Sequence, residues 1–225
     1  MKQLGSIFER LQERYGARNW WPAESPFEVC VGAILTQNTN WGNVEKAIAR
    51  LKGADRLSVE GIATLQTEEL AALIRPAGYF NVKAGRLQEF VTFLQAEAGG
   101  NLDQLFKQDR QQLRRLLLDV RGIGPETADS IMLYAGNLPS FVVDAYTRRI
   151  FSRLGLVDAL IGYEPLRAFF MERLPEDARL YNECHALIVE HGKQYCRPRP
   201  LCAGCCLADS CVGRQDGILD LSASG

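Results

Sequence analysis

Apolar residues recur every three or four positions along most of this chain, which is the spacing that lines one face of a helix. Alternating strand patterns with hairpin turns are hard to find, and FVVD at 141–144 is the best short example. The pattern therefore predicts an all-α protein of about nine or ten helices. The clearest apolar sets are Leu4, Phe8 and Leu11; Ala47, Ile48 and Leu51; and Leu87, Val91 and Leu94.

The length of 225 residues fits one large domain or two small ones, and a hydrophobic content of 47% is enough for a proper core. The net charge of −1 gives no overall basic field, so a nucleic-acid partner would have to be recognised by local patches. No apolar run approaches the roughly 18–20 residues of a membrane span. The N-terminus is charged throughout and has no signal-peptide core, so we expect a cytoplasmic protein without a membrane partner.

Five of the seven cysteines lie within sixteen residues near the C-terminus, and four of them form the pattern C-x5-C-x2-C-x5-C. These four are Cys196, Cys202, Cys205 and Cys211. In a cytoplasmic chain, thiolates this dense indicate a soft metal centre. Zinc usually takes two separated pairs of ligands, so one compact loop favours a 4Fe-4S cluster, with zinc or plain reduced thiols as the alternatives. Cys206 adjoins Cys205, and spacing alone does not decide between them.

A second feature is the stretch VRGIGPETA at 120–128, in which two glycines flank one isoleucine just before a helical pattern begins. Such a turn is a good anion cradle, because unpaired N–H groups point outward and the helix dipole favours negative charge. The carboxylate of Glu126 in the first turn of that helix is therefore unexpected at a site built for phosphate.

Five short motifs occur in an order that resembles the helix-hairpin-helix DNA glycosylases of endonuclease III type, and the resemblance covers nearly the whole chain. In that family, the first motif carries a glutamine that probes the DNA opposite the target base, and the second is a loop that wedges into the duplex. The motifs are ILTQNT (34–39), GYFNVKA (78–84), VRGIGPETA (120–128), VVDAYTRR (142–149) and HGKQYC (191–196).

The resemblance implies two helical lobes with a DNA- and base-binding cleft between them, because base chemistry requires an extruded nucleotide. One lobe would be residues 27–137, including the helix-hairpin-helix motif. The other would combine residues 1–26 with 138–225 and hold a 4Fe-4S loop at 196–211. The expected partner is double-stranded DNA containing a damaged base, bound by a monomer associated with the nucleoid.

The same resemblance assigns site residues. Asp144 would be the catalytic aspartate, since a fixed carboxylate stabilises the positive charge that develops on the sugar, and Lys193 would lie near it. Without the family context, Asp144 reads as a helix N-cap. The four cysteines would ligate the cluster, although the first gap is one residue shorter than is usual in the family. The expected DNA contacts are Gln37, Asn38, Tyr79, Phe80, Asn81, Lys83, Arg121, Gly122, Gly124, Arg197 and Arg199.

Bifunctional members of the family carry a lysine at the position of Glu126, eighteen residues before the aspartate. Its amine forms the Schiff base that permits strand cleavage, and a carboxylate cannot do this. The sequence therefore predicts a monofunctional glycosylase without lyase activity.

All three tryptophans, Trp20, Trp21 and Trp41, are expected at the base pocket, where indoles would stack on a cationic base. Together with the motif order, they resemble the 3-methyladenine glycosylases of endonuclease III type and favour an alkylated purine as substrate. The alternatives are uracil, a mismatched base or an oxidised base. Less favoured are a bifunctional lyase and a non-catalytic DNA-binding iron–sulfur protein.

Overall fold

The computed structural model describes residues 2–18, 20–21 and 23–215, and no β-strand occurs among them. The all-α prediction is therefore confirmed. None of the described helices has the length and apolarity needed to cross a membrane. Short helices of four to seven residues raise the number of helices above the predicted nine or ten, because they carry too few turns to show a period.

The helices before the hairpin are α1 (Lys2–Tyr15), α2 (Pro26–Leu35), α3 (Trp41–Gly53), α4 (Val59–Ala63), α5 (Thr67–Leu73), a 3₁₀ turn (Arg75–Ala77) and α6 (Phe80–Ala98). They are followed by α7 (Leu102–Leu105), α8 (Arg110–Asp119), α9 (Pro125–Ser130) and a π turn (Ile131–Ala135). The remaining elements are α10 (Ala145–Arg153), α11 (Tyr163–Met171), α12 (Ala178–Gln194), a 3₁₀ turn (Ala208–Ser210) and α13 (Val212–Gln215).

The described chain forms two compact units. One runs from Trp21 to Leu138, and the other combines the residues up to Trp20 with those from Pro139 onward. The expected lobes were 27–137 and 1–26 with 138–225, of which residues 216–225 lie outside the described part of the chain. The main difference is that residues 21–26 belong to the continuous unit.

The 21–138 unit is built around one apolar core, and polar caps fix where its helices begin. Ser25 accepts a hydrogen bond from the Glu28 amide and precedes Pro26, a residue whose fixed φ suits the first helical position. Asn40 caps α3 and Asp109 caps α8 in the same way. Each cap satisfies a backbone donor that the first turn of a helix leaves without a partner.

The predicted hairpin consists of α8, a turn around Gly122 and α9. Gly122 has a φ of +91°, which a side chain would strain. A bidentate ion pair joins the two helices: Arg114 donates to both carboxylate oxygens of the fully buried Asp129 at 2.8 and 3.0 Å. This pair ties α8 to α9 and restrains their relative orientation, because a charge-assisted fork tolerates little change in geometry.

The other unit has an aromatic core that positions the start of α10. The rings of Phe141 and Phe170 are stacked with their centroids 4.3 Å apart, and Tyr181 meets Phe141 edge-on at 5.3 Å. Phe141, Val142 and Val143 are all buried. The β-like run FVVD thus lies outside any sheet, and its first three residues form a buried segment that leads directly into Asp144.

Candidate functional site

Asp144 is the N-cap of α10, and its carboxylate is held in place by the first turn of that helix. Its Oδ1 accepts hydrogen bonds from the Thr147 amide at 2.7 Å and from the Thr147 hydroxyl at 2.8 Å. The Thr147 hydroxyl in turn lies 3.3 Å from the Asp144 amide, which completes a capping box. One carboxylate oxygen is therefore fixed to the backbone, while the other is directed elsewhere.

The second oxygen of Asp144, Oδ2, faces His185 of α12, whose Nε2 lies 3.7 Å away. Burial works to raise the pKa of Asp144, but the interaction with His185 and the bonds from Thr147 outweigh it and hold the pKa below its ordinary value. The carboxylate is consequently ionised at neutral pH although its side chain is only 13% exposed. Nothing in the sequence pairs these two residues, which lie 41 positions apart.

Gly192 explains how α10 and α12 approach closely enough for that pairing. A Cβ added at Gly192 would lie 2.3 Å from Cδ1 of Tyr146, a distance at which the ring or the helix would have to move. Gly192 is buried, and Tyr146 is the second residue of α10. The glycine in the motif HGKQYC therefore serves the packing of the helix that Asp144 caps.

Lys193, the other residue predicted to be catalytic, is exposed near the end of α12. Its ammonium lies over the ring of Trp20, 5.4 Å from the centroid, in a cation–π contact. Trp20 and Lys193 belong to the same unit, as do Asp144 and His185.

Trp21 and Trp41 form an aromatic cluster with Tyr134 in the 21–138 unit. Trp21 meets Trp41 edge-on with centroids 4.9 Å apart and lies 5.0 Å from Tyr134. A Cβ on Gly32 of α2 would lie 3.3 Å from Trp21 and 3.5 Å from Trp41, so this glycine lets both indoles approach the helix. Both indoles are half-buried. Of the three tryptophans predicted at the base pocket, Trp21 and Trp41 therefore pack against each other, whereas Trp20 belongs to the other unit.

Gln37 lies just beyond α2, and the structure brings it into contact with the hairpin. Its Nε2 donates to the Gly122 carbonyl at 3.1 Å and to the Thr127 hydroxyl at 2.8 Å. Its Oε1 accepts a hydrogen bond from the guanidinium of Arg86 on α6. Two motifs that lie more than eighty residues apart in the sequence are therefore joined through a single side chain.

Lys83 was expected to contact DNA, and its surroundings do not support that role. Its side chain is 1% exposed, and its ammonium donates to the carbonyls of Leu35 and Ala77 at 2.8 Å each. Burial, together with the charge of Arg86, lowers the pKa of this amine to about 8. Lys83 ties the end of α2 to the turn before α6, because each carbonyl there lacks a helical partner.

The remaining expected DNA contacts of the 21–138 unit lie at its surface. Asn38 and Tyr79 both adopt left-handed backbone conformations, with φ of 55° and 46°. Such a φ is costly for a bulky residue such as Tyr79, whereas asparagine adopts it more readily. Tyr79 is also 72% exposed, which is unusual for an aromatic residue. Phe80 is half-buried; Asn81, Arg121, Gly124 and Glu126 are exposed.

The four predicted cysteine ligands line one cavity in the other unit, and Cys206 does not line it. Arg153 of α10 donates to the Sγ of Cys196 at 3.4 Å, and Arg149 donates to the Cys196 carbonyl at 2.7 Å. Four thiols facing a single cavity with a cation beside them suit an anionic metal–sulfur group. Among the described residues, no three His, Cys, Asp or Glu side chains converge on a single metal-ion position. The cavity is otherwise lined chiefly by Ile150, Leu154, Pro200, Leu201 and Leu207.

Arg197 and Arg199 are exposed at the start of the cysteine loop. The Nε of Arg197 donates to the Lys193 carbonyl at 2.7 Å, and Arg153 binds the carbonyls of Arg197 and Pro198 at 2.6 and 2.9 Å. The loop is therefore fastened to α10 and α12 between Cys196 and Cys202.

Comparison with known proteins identifies the family. The model of the HhH-GPD superfamily of base excision DNA repair proteins matches residues 31–176, more than half of the chain. The chain belongs to this superfamily. The match spans the hairpin and Asp144, and the protein is a DNA glycosylase of base excision repair.

Three relatives illustrate the range of the superfamily around this chain. A Methanocaldococcus jannaschii protein provisionally named a DNA repair glycosylase is 48% identical over 95% of this chain and 97% of its own. Endonuclease III of Thermotoga maritima is 32% identical over 83% of this chain and 82% of its own. The structure of an H. pylori 3-methyladenine DNA glycosylase bound to 1,N6-ethenoadenine has a TM-score of 0.71 at 31% identity, covering 86% of this chain and 95% of that one. The chain is therefore about equally similar to an endonuclease III and to a 3-methyladenine DNA glycosylase.

The buried amine of Lys83 generates a stability prediction. Lys83→Met removes both hydrogen bonds at nearly constant volume, and it should lower the free energy of unfolding by about 1–3 kcal/mol because two carbonyls lose their partner. Urea unfolding at neutral pH measures this loss. The exposed Lys46→Met is the matched control and should change the free energy by less than about 0.5 kcal/mol.

The same pair of proteins should show a pH dependence of known sign. The unfolded chain keeps the Lys83 proton up to about pH 10, whereas the folded protein releases it near pH 8. The unfolded state therefore binds more protons in this window, and the stability of the parent protein relative to Lys83→Met should rise as pH increases from about 8 to 10. A difference that falls over this window would contradict the buried placement of the amine.

Proposed function

We propose that this chain is a monofunctional DNA glycosylase that hydrolyses the N-glycosidic bond of an alkylated purine such as 3-methyladenine. The observation that carries the proposal is the fixed, ionised carboxylate of Asp144. The protein would act as a monomer on double-stranded DNA from which the damaged nucleotide is extruded.

Asp144 supplies the chemistry of bond cleavage. As the base departs, positive charge develops on the sugar, and a carboxylate that is already ionised stabilises this charge without reorganisation. Its Oδ1 is restrained by Thr147, which leaves Oδ2, on the side of His185, to face the sugar or to orient the attacking water. The positively polarised edge of His185 favours the ionised form of the carboxylate, so His185 is a positioning residue.

Glu126 is the basis for proposing hydrolysis without strand cleavage. It is exposed in the first turn of α9, where lyase members of the family carry the amine that forms a Schiff base. A carboxylate has no nitrogen with which to form the carbon–nitrogen bond of a Schiff base. Lys193 is exposed in the same unit as Asp144 and is the amine to test if strand cleavage is found.

The aromatic cluster of Trp21, Trp41 and Tyr134 supports an alkylated purine as the substrate. Indole rings attract a cationic base more strongly than a neutral one, and 3-methyladenine carries a positive charge when bound to the sugar. Its glycosidic bond is already labile, so recognition matters more than acid catalysis. Trp20 is also proposed as a contact of the damaged base, as the resemblance implies. The relative from H. pylori, a 3-methyladenine glycosylase, adds support to this choice.

Strained and exposed residues support the proposed DNA contacts. Asn38 and Tyr79 hold left-handed conformations on the two loops assigned to DNA, and Tyr79 exposes 72% of its surface, which suits a side chain that wedges between bases. The exposed amides and cations would contact phosphates and position the duplex. The proposed set is Gln37, Asn38, Tyr79, Phe80, Asn81, Arg121, Gly122, Gly124, Arg197 and Arg199.

We also propose that the cysteine loop holds one 4Fe-4S cluster through Cys196, Cys202, Cys205 and Cys211. The shared cavity of these four thiols and the hydrogen bond from Arg153 to the Cys196 sulfur support this assignment. When bound, the cluster would cross-link the loop and keep Arg197 and Arg199 in fixed positions for phosphate.

Asp144→Asn tests the catalytic role. An asparagine oxygen can still accept the bond from the Thr147 amide, so the helix cap and the fold should survive. Loss of the negative charge should slow base release from an alkylated duplex by about a hundredfold or more, with little change in DNA affinity. Single-turnover release of the free base measures the rate.

Asp177→Asn is the matched control for that variant. Asp177 caps α12 and accepts a hydrogen bond from the Leu180 amide at 2.8 Å, so this substitution repeats the same chemistry at another helix start. We expect its rate to stay within about twofold of the parent protein. A similar modest change in both variants would reduce Asp144 to a structural cap.

The carboxylate of Glu126 leads to a prediction about covalent trapping of DNA. Because no amine stands there, borohydride should trap no protein–DNA adduct, and the abasic strand should stay intact. Glu126→Lys restores an amine eighteen residues before Asp144 and should produce measurable trapping on a denaturing gel. Efficient trapping by the unmodified protein would refute the monofunctional assignment, and Lys193→Ala would then identify whether Lys193 supplies the amine.

Metal analysis of anaerobically purified protein tests the cluster. We expect about four irons per chain and an absorption band typical of a cubane. Cys206→Ser should retain the iron because this thiol does not line the cavity, whereas Cys205→Ser should lose it. Stoichiometric zinc without iron, or iron loss in Cys206→Ser alone, would contradict the ligand set.

A further inference from the structure

Gln37 is held by three partners on two other elements. The Gly122 carbonyl and the Thr127 hydroxyl, both in the hairpin, accept from its Nε2, and Arg86 of α6 donates to its Oε1. An amide rotated by 180° would set two donors against each other at Arg86 and an oxygen against the Gly122 carbonyl. The amide orientation is therefore determined by the protein, and only a lone pair on Oε1 is left for another donor.

We propose that Arg86 is a positioning residue that locks Gln37 to the hairpin, so that the contribution of Gln37 to DNA binding depends on Arg86. The inference rests on the proposed function in one respect, which is the assignment of Gln37 as a DNA contact. Arg86 itself need not touch DNA for this role.

The position of Arg86 makes it suited to this task. Its aliphatic stem lies directly on Gly122, where an added Cβ would be 2.4 Å from Arg86 Cγ and 2.8 Å from Cδ. Gly122 thus provides the space that the stem occupies, and the guanidinium continues past it to Gln37. Arg86 is half-buried, so its charge is only partly available to solvent.

Helix α6 is a rigid base for that side chain. It runs for 19 residues, and Lys83, three positions before Arg86, anchors it to Leu35 and Ala77 through buried hydrogen bonds. Two residues on one face of α6 therefore bind the segment 35–37. Lys83 donates to the Leu35 carbonyl, and Arg86 donates to the Gln37 side chain. The loop that bears Gln37 and the hairpin act as one preformed surface.

Preformation has a measurable consequence for binding. A glutamine side chain that is free in solution loses rotamer entropy when it is ordered against DNA, whereas one that is already locked does not. Removing Arg86 should therefore weaken binding through Gln37. The loss should appear where Gln37 is used, at an extruded nucleotide, and should be small on an undamaged duplex.

A double-mutant cycle tests this dependence. The variants are Gln37→Ala, Arg86→Leu and the double variant, and leucine keeps apolar bulk over Gly122. The probe is a duplex with a tetrahydrofuran abasic analogue, and an undamaged duplex of the same sequence serves as reference. We expect each single variant to weaken binding to the abasic duplex by about tenfold, and the double variant to be no weaker than about twentyfold.

Arg50→Leu is the control for the loss of a positive charge, since Arg50 is exposed on α3 of the same unit. It should change the affinity for both duplexes by less than about twofold. If Arg86→Leu does not fold, Arg86→Met keeps an unbranched stem over Gly122 and removes the guanidinium, and the same non-additivity with Gln37→Ala is expected.

Three results would overturn the inference: full affinity in Arg86→Leu, a combined loss of about a hundredfold, or equal losses on the abasic and undamaged duplexes. The first removes any role for Arg86. The second shows that the two residues act independently, and the third shows that Arg86 acts only through its charge. Because the probe carries no base to release, failure of the proposed glycosylase activity would be seen separately, as absence of base release by the parent protein.

Discussion

The hydrogen bonds between Asp144 and Thr147 are the interaction on which the proposed chemistry depends. They serve two purposes at once, because the bonds that start α10 also fix the direction of the carboxylate and add to the larger effect of His185 in holding its pKa below the ordinary value. Burying a carboxylate is unfavourable unless it is well bonded, and here Thr147 and His185 supply the compensation. The buried segment Phe141–Val143 sets the point in the chain at which this cap occurs.

Much of the fold follows from local sequence. Helical periodicity predicts the all-α class, and the caps Ser25 and Asp109 predict where two helices begin, since capping depends only on the next few residues. Local reasoning is weaker where a residue type that favours caps does not form one. Gln66, rather than the adjoining Thr67, is the cap residue of α5, and Asp55 is in a left-handed turn rather than at a helix start.

The contacts that define the candidate site were not predictable in the same way. His185 faces Asp144, and Arg86 holds Gln37, because helices distant in sequence are packed together, and periodicity carries no information on such pairs. Lysine is a residue type that commonly contacts DNA. Lys83 of GYFNVKA is nevertheless buried, because its ammonium donates to the carbonyls of Leu35 and Ala77. A glycine inside a helix is a partial sequence signal of close helix packing. Gly192 is such a glycine, and it lies where α12 contacts Tyr146 of α10.

Incubation of the purified protein with duplexes bearing 3-methyladenine, 1,N6-ethenoadenine or uracil tests the central claim most directly. Chromatography identifies the released base, and a denaturing gel run with and without alkali reports on the strand. The account predicts free 3-methyladenine and a strand that breaks only after alkali, because the carboxylate at position 144 promotes attack by water and no amine stands at position 126. Release of uracil without release of an alkylated purine would contradict the proposed substrate, and strand breakage without alkali would contradict the proposed mechanism.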